Sequence, residues 1–219
     1  MPKKKEIKKR VLGISIPYWK NTQVCEDRFK SMMEKIEKQI TDDMLLCVYE
    51  DGQVSDWLVE YQKRLGDKMF LIQNPINYGV SYARNKTLDE LVDKCLYVLF
   101  LDSDDEIADD YLKVMHEYCA DNSHEVVESL FSVNKQETQY QPNLLRCGVA
   151  GSAIKTKIIG NKRFDENLQI GEDTKFMRDV VDLSKHRKRL AKTKYKYLLG
   201  VNSESLTMRY DRKQIGKVR

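Results

Sequence analysis

Four acids occupy the five positions Asp102-Ser103-Asp104-Asp105-Glu106, directly after the apolar run Leu96-Tyr97-Val98-Leu99-Phe100-Leu101. Carboxylates this close repel one another unless a cation sits among them. Hard divalent ions such as Mg2+ or Mn2+ take oxygen ligands and often join one or two carboxylates to a substrate's phosphates. The apolar run, rich in β-formers, predicts a central strand of a parallel sheet. Its end delivers the acids to the carboxyl edge of that sheet, where open α/β folds bind ligands. The plainer alternative is a solvated acidic loop, with Asp105 capping the helix that follows.

The elements that must position these acids alternate along the first half of the chain. Val11 to Ile16 reads as the first strand, stopped by Pro17. Residues 25–40 carry Phe29, Met32, Met33, Ile36 and Ile40 at helical spacing, a core-facing stripe. Met44 to Tyr49 is a second strand, turning at Glu50-Asp51-Gly52. A helix over 55–65 follows, with Ser55 or Asp56 as N-cap. Met69 to Ile72 is a third strand, residues 74–79 form a loop, and 81–94 form a helix. Such alternation with short connections implies βαβ units and a parallel sheet flanked by helices. No G-x-G-x-x-G follows the first strand, so the dinucleotide-binding fingerprint is absent.

The second half is less regular. The pattern predicts a helix over 108–120 and strand-like stretches at 126–127 and 130–133. Around Gly148 and Gly151, strand and short-helix signals mix. Further helices are expected over 172–183 and over the very basic 184–194, and a final strand at 195–199. No stretch rich in Gly, Ser or Pro marks a domain boundary, so a single domain is expected.

The 219 residues are 41% hydrophobic, which suffices for a sizeable core and argues against wholesale disorder. No apolar stretch reaches the length of a membrane span, and the basic start lacks a signal-peptide core. The five cysteines are scattered without C-x-x-C spacing, so reduced packing thiols in a cytoplasmic protein are expected. The net charge of +4 hides an asymmetry. Residues 1–10 and 184–219 together carry 18 basic and 3 acidic residues, leaving 20 basic and 31 acidic in 11–183. The basic ends are either solvated tails or a grip on a polyanion, DNA or an anionic membrane surface, which would make the protein peripheral to the membrane.

Five segments recur in a familiar order: Ile14-Ser15-Ile16-Pro17-Tyr18; Val48-Tyr49-Glu50-Asp51-Gly52; Asn77-Tyr78-Gly79-Val80-Ser81-Tyr82-Ala83-Arg84-Asn85; Leu99-Phe100-Leu101-Asp102-Ser103-Asp104-Asp105; and Phe164-Asp165-Glu166-Asn167-Leu168 with Gly171-Glu172-Asp173. Together they resemble glycosyltransferase family 2, over roughly residues 10 to 210. The resemblance implies a GT-A (Rossmann-like) α/β fold with a mostly parallel sheet and an inverting, metal-dependent transferase of nucleotide-diphosphate sugars. It makes 11–104 the nucleotide-sugar-binding half and 105–210 the acceptor-binding half, between a basic lead-in (1–10) and a basic tail (211–219).

The family match implies roles for individual residues. The nucleobase lies near Pro17 and Tyr18, with Glu50 and Asp51 as acids able to accept the imide N–H of uracil. Glu50 stands where the family usually has aspartate, which leaves the base open, with uracil the first choice. Gly79 allows close approach to the nucleotide, and Arg84 lies near its diphosphate. Asp102, Ser103 and Asp104 match the D-x-D motif, Asp104 as direct ligand of Mn2+ or Mg2+ and Asp102 on the ribose or the hydrated metal. Asp173 is the general base; the plainer reading makes it a first-turn helix acid. Ser205 and Arg209 fall in a loop that folds over the donor phosphates. The acceptor is expected to be a surface or lipid-linked glycan; hydroxylated bases of phage-type DNA are the alternative. A nucleotidyltransferase or a non-catalytic nucleic-acid-binding module remain as readings from other classes.

Overall fold

The computed structural model describes residues 9–133, 136–137, 148–181 and 188–197. The chain runs β1 (Arg10–Tyr18), α1 (Gln23–Gln39), β2 (Met44–Asp51), α2 (Asp56–Leu65), β3 (Met69–Asn74), α3 (Val80–Leu91) and β4 (Cys95–Phe100). It continues through β5 (Glu106–Ile107), α4 (Tyr111–Ala120), β6 (Val126–Val133), β7 (Gln136–Glu137), β8 (Ser152–Lys155), α5 (Thr156–Ile159), α6 (Glu172–Val180) and β9 (Lys188–Tyr197). One sheet joins these strands in the order β3-β2-β1-β4-β8-β6-β9-β5, with β7 on β6. The first four strands are parallel. Beyond β4 the sheet is mixed: β8 runs antiparallel to β4 and β6, and β9 runs parallel to β6.

Alternation along the parallel strands buries both faces, as a helix-flanked sheet requires. Leu12, Ile14 and Ile16 of β1, with Leu46 and Val48 of β2, face Phe29, Met33 and Ile36 of α1 and Met115 of α4. Their neighbours Leu45, Cys47, Val98 and Phe100 face Leu88 and Leu91 of α3 and Phe176 and Met177 of α6. Cys25, Cys47, Cys95 and Cys119 are buried. No helix among the described residues is long and apolar enough to cross a membrane.

Three expectations need correction. The first strand does not stop at Pro17 but runs through it to Tyr18. On the β4 side, pairing ends at Ser15, while β2 continues beside Pro17 and Tyr18. The missing proline N–H therefore interrupts no ladder on that side. Within the helix expected over 184–194, residues 188–194 are instead strand, continuous with the expected strand at Tyr195 to Tyr197. Ala191, Thr193 and Tyr195 are buried while Lys192 and Lys194 are exposed, a period of two that β6 fixes by pairing. Finally, Asp105 does not cap a helix: β5 follows it, and α4 begins only at Tyr111 behind Asp110. Residues 1–8, Cys147, the stretch 182–187, Ser205, Arg209 and the tail 211–219 lie outside the described residues.

Candidate active site

Because β1, β2 and β4 are parallel, their carboxyl ends share one edge. Pro17 and Tyr18, Glu50 and Asp51, and Asp102 to Asp104 all emerge there, and Gly79 opens α3 beside them. The strand order reverses direction at β1 and β4, so this edge contains the topological switch point that open α/β sheets use for ligands.

The centre of the edge is Arg84, in the second turn of α3 and buried. Its guanidinium donates to Asp102 Oδ1 at 2.8 Å and to Glu172 Oε1 at 2.9 Å. Burial opposes its charge, but Asp102, Glu172 and Asp173 outweigh that and hold its proton more firmly than usual. The adjacent Asn85 fixes the loop before α6: it receives Phe164 N–H at 2.8 Å and donates to Phe164 O at 3.0 Å and Glu166 Oε1 at 2.8 Å. The Phe164 ring lies 5.3 Å from the Arg84 guanidinium carbon, stacked on Phe176 of α6. One helical dipeptide thus ties the end of β4 to the start of α6.

Two carboxylates flank this ion-pair centre. The Asp104 pKa is pushed up to about 6, by burial and then by the charge of Asp102. The Asp173 pKa is also pushed up to about 6, by burial and then by Glu172, with Arg84 pulling the other way. Asp173 opens α6 behind Gly171, whose φ of 79° places it in the left-handed region that glycine adopts freely. One Asp173 oxygen accepts Thr174 N–H at 2.6 Å. The other faces Gly148, where an added Cβ would stand only 2.8 Å from Oδ2.

The β1–β2 end of the edge is different. Glu50 is fully buried and accepts Ser55 N–H at 3.0 Å, the Ser55 hydroxyl and Gln73 Nε2 at 2.7 Å. It thereby fastens the start of α2. Asp51 accepts Tyr78 N–H at 2.9 Å and Gly79 N–H at 2.8 Å, fastening the start of α3. Burial raises the Asp51 pKa and these two amides oppose the rise. Gly79 has φ of 92°, which lets the loop present both amides. Tyr18 packs its ring on Phe29 at 4.4 Å and edge-on to Trp57 at 5.9 Å. Its hydroxyl is buried beside Gln53 without a well-formed hydrogen bond.

The residue types fit a divalent cation at Asp102 and Asp104, since the Asp102 charge adds to the cost of ionising buried Asp104. Among the described residues no three ligating side chains converge, so a substrate's oxygens would have to complete the coordination shell.

The model of the family described as "Glycosyl transferase family 2" matches residues 16–186. The chain belongs to glycosyltransferase family 2. No curated protein sequence matches it. Among solved structures, this family 2 chain is similar to S. aureus TarS 1–349 in complex with UDP-GlcNAc (TM-score 0.73, 16% identity, covering 95% of this chain and 64% of that one). It is also similar to the mannosyltransferase PcManGT from Pyrobaculum calidifontis in complex with GDP-Man and Mn2+ (TM-score 0.64, 12% identity, 91% and 59% covered). A third is GalNAc-T7 with UDP, GalNAc and Mn2+ (TM-score 0.66, 11% identity, 90% and 46% covered). The chain therefore shares the GT-A fold and spans less than two thirds of the length of each of these neighbours.

Sequence reasoning singled out Arg84, Asp102, Asp104 and Asp173, and the fold gathers them around one ion-pair centre. It did not single out Glu172 as a partner of Arg84, Gly148 against Asp173, Arg28, or Tyr195. Arg28 of α1 donates to Asp104 O at 3.2 Å, and Tyr195 of β9 touches the acidic turn. The contacts of Glu172, Arg28 and Tyr195 span 76 to 93 positions of sequence and leave no local signature. For Tyr195, the alternation through β9 was a visible signal of a buried strand residue.

Proposed function

We propose that this family 2 protein is a metal-dependent, inverting glycosyltransferase that moves a sugar from a nucleotide-diphosphate donor, UDP-sugar by first choice, to a hydroxyl of a surface or lipid-linked glycan. The observation that carries the reading is the pair of strained carboxylates, Asp104 and Asp173, on either side of the Arg84 ion pairs at the ligand edge. A carboxylate whose pKa is raised towards neutrality is a better proton acceptor at working pH than an ordinary one. Nucleotide sugars bound to the neighbours TarS and PcManGT support the donor class, and Mn2+ in PcManGT and GalNAc-T7 supports the metal.

In this reading, β1–β4 hold the donor and the chain from β5 onward holds the acceptor. Asp173 takes the proton of the acceptor hydroxyl as that oxygen bonds to the anomeric carbon. The bond from this carbon to the diphosphate oxygen breaks on the opposite face, so configuration inverts. Asp104 and Asp102 would hold Mn2+ or Mg2+, which when bound offsets charge gathering on the departing diphosphate. Arg84 keeps Asp102 oriented, and Glu172 keeps Arg84 in place.

A screen of nucleotide sugars with Mn2+, read by release of nucleoside diphosphate, tests the reading. Asp104→Asn is expected to abolish metal-stimulated donor binding, and Asp173→Asn to spare donor binding and stop transfer. Wild-type turnover in both variants would refute these roles.

A further inference from the structure

We infer that Tyr195 is a positioning residue that holds the Asp102–Asp105 turn in the shape its proposed ligand role needs; the functional part of this rests on the reading above. The turn leaves β4 with Leu101 N–H still bonded to Ser15 O at 3.0 Å, and closes on itself through Asp105 N–H to Asp102 O at 3.3 Å. Arg84 orients one side chain of the turn, and Arg28 holds one carbonyl. The Tyr195 hydroxyl does what neither can: it engages both ends. It accepts Asp102 N–H at 3.0 Å and donates to Asp105 Oδ2 at 2.6 Å.

The geometry leaves the phenol little alternative. Tyr195 is fully buried, stacked on Phe131 with ring centroids 5.9 Å apart. Its backbone is fixed by two neighbours, opposite Phe131 in β6 and opposite Ile107 in β5. Because β5 starts one residue after Asp105, β9 lies directly against the exit of the turn and its hydroxyl reaches back to the entrance. A phenol has one proton. Donating it to the Asp105 carboxylate leaves a lone pair directed at Asp102 N–H, so both bonds act together. Removing the hydroxyl would orphan a partly buried N–H and take from the Asp105 carboxylate the donor that ties it to β9. The carboxylates of Asp102 and Asp104 would then have to be ordered at the moment of binding, a cost that preorganisation avoids.

Tyr195→Phe keeps the ring in its packing and deletes only these two bonds. Tyr111→Phe is the control, since the Tyr111 hydroxyl donates to Ser129 at 3.1 Å in the same core. Amide hydrogen exchange of metal-free protein reads the turn without any ligand. Tyr195→Phe is expected to speed exchange at 101–106 by about tenfold or more while β1–β3 stay protected, with Tyr111→Phe leaving 101–106 unchanged. Mn2+ titration in the presence of UDP, followed by water-proton relaxation, is expected to show about tenfold weaker uptake in Tyr195→Phe than in wild type. Wild-type exchange at 101–106 in Tyr195→Phe overturns the inference, as does loosened exchange with unchanged Mn2+ uptake. If wild type itself takes up no Mn2+ with UDP, the metal-dependent reading fails, and exchange alone decides the positioning role. Should Tyr195→Phe not fold, Asp105→Ala releases the hydroxyl from the turn side. Unchanged exchange in that folded variant would also overturn the inference.

Discussion

The two ends of the carboxyl edge give their acids different partners. At β2, Glu50 and Asp51 meet backbone amides, a hydroxyl and a side-chain amide, and those bonds fasten the starts of α2 and α3. At β4 and α6, Asp104 and Asp173 are buried and, beyond that, crowded by other carboxylates, which pushes both pKa values up to about 6. Acids satisfied by the chain itself hold structure together. Acids held against like charge store a cost that a cation, or a proton taken from a substrate, relieves.

The largest expected effect breaks the strained end. Asp173→Asn removes the proposed base, and transfer is expected to fall by about 10²–10⁴-fold in kcat. The same variant is expected to make metal-free protein more stable by about 1 kcal/mol at pH 8, read by urea unfolding. The sign follows from a folded pKa raised above the unfolded value near 3.9. The penalty on the charged form is complete above pH 6, shrinks as pH falls and vanishes below about 4, so the gain from Asn should vanish there too. A loss of stability at pH 8 would place Asp173 with the satisfied acids.

Arg84→Ala leaves Asp102 and Glu172 without their shared cation, and about 3–5 kcal/mol of stability is expected to go, measured by denaturant unfolding. A small loss would mean that solvent reaches the centre. A pH profile sharpens the contrast next. At saturating donor and Mn2+, kcat is expected to fall about tenfold per unit below pH 6, because the proton must be absent from Asp173. A profile flat down to pH 5 would exclude Asp173 as the base. Gly148→Ala places a methyl group against the Asp173 carboxylate and is expected to lower kcat about tenfold with donor binding unchanged.

The smallest expected effect belongs to the satisfied end. Glu50→Gln replaces one of the two acceptor oxygens by an amide nitrogen facing the same donors and is expected to cost about 1–2 kcal/mol of stability, seen as a lower Tm. If it changed the preferred nucleobase of the donor and left Tm unaltered, Glu50 would move to the ligand side of the comparison.

The parallel half of the sheet was legible because each strand is an apolar run between turn residues, and buried parallel strands carry that signal locally. The first part of β9, residues 188–194, was misread as helix because its lysines dominate the composition, although Ala191 and Thr193 alternate with them, and only Tyr195 to Tyr197 was read as strand. Asp104 and Asp173 could be picked out by type and place, but the two are 69 positions apart, and no spacing rule says that both end beside Arg84. The partners Glu172, Gly148 and Tyr195 matter only through distances that packing sets.

By itself the sequence determined which residues can bear charge, which runs must be buried, and hence a parallel sheet with acids at its carboxyl edge. Hydrophobic periodicity and residue chemistry are properties of neighbours along the chain. Only the tertiary structure decided which acids are satisfied and which are strained. That depends on the amide, guanidinium or carboxylate brought within about 3 Å from elsewhere in the chain, where hydrogen bonds and ion pairs are made or missed.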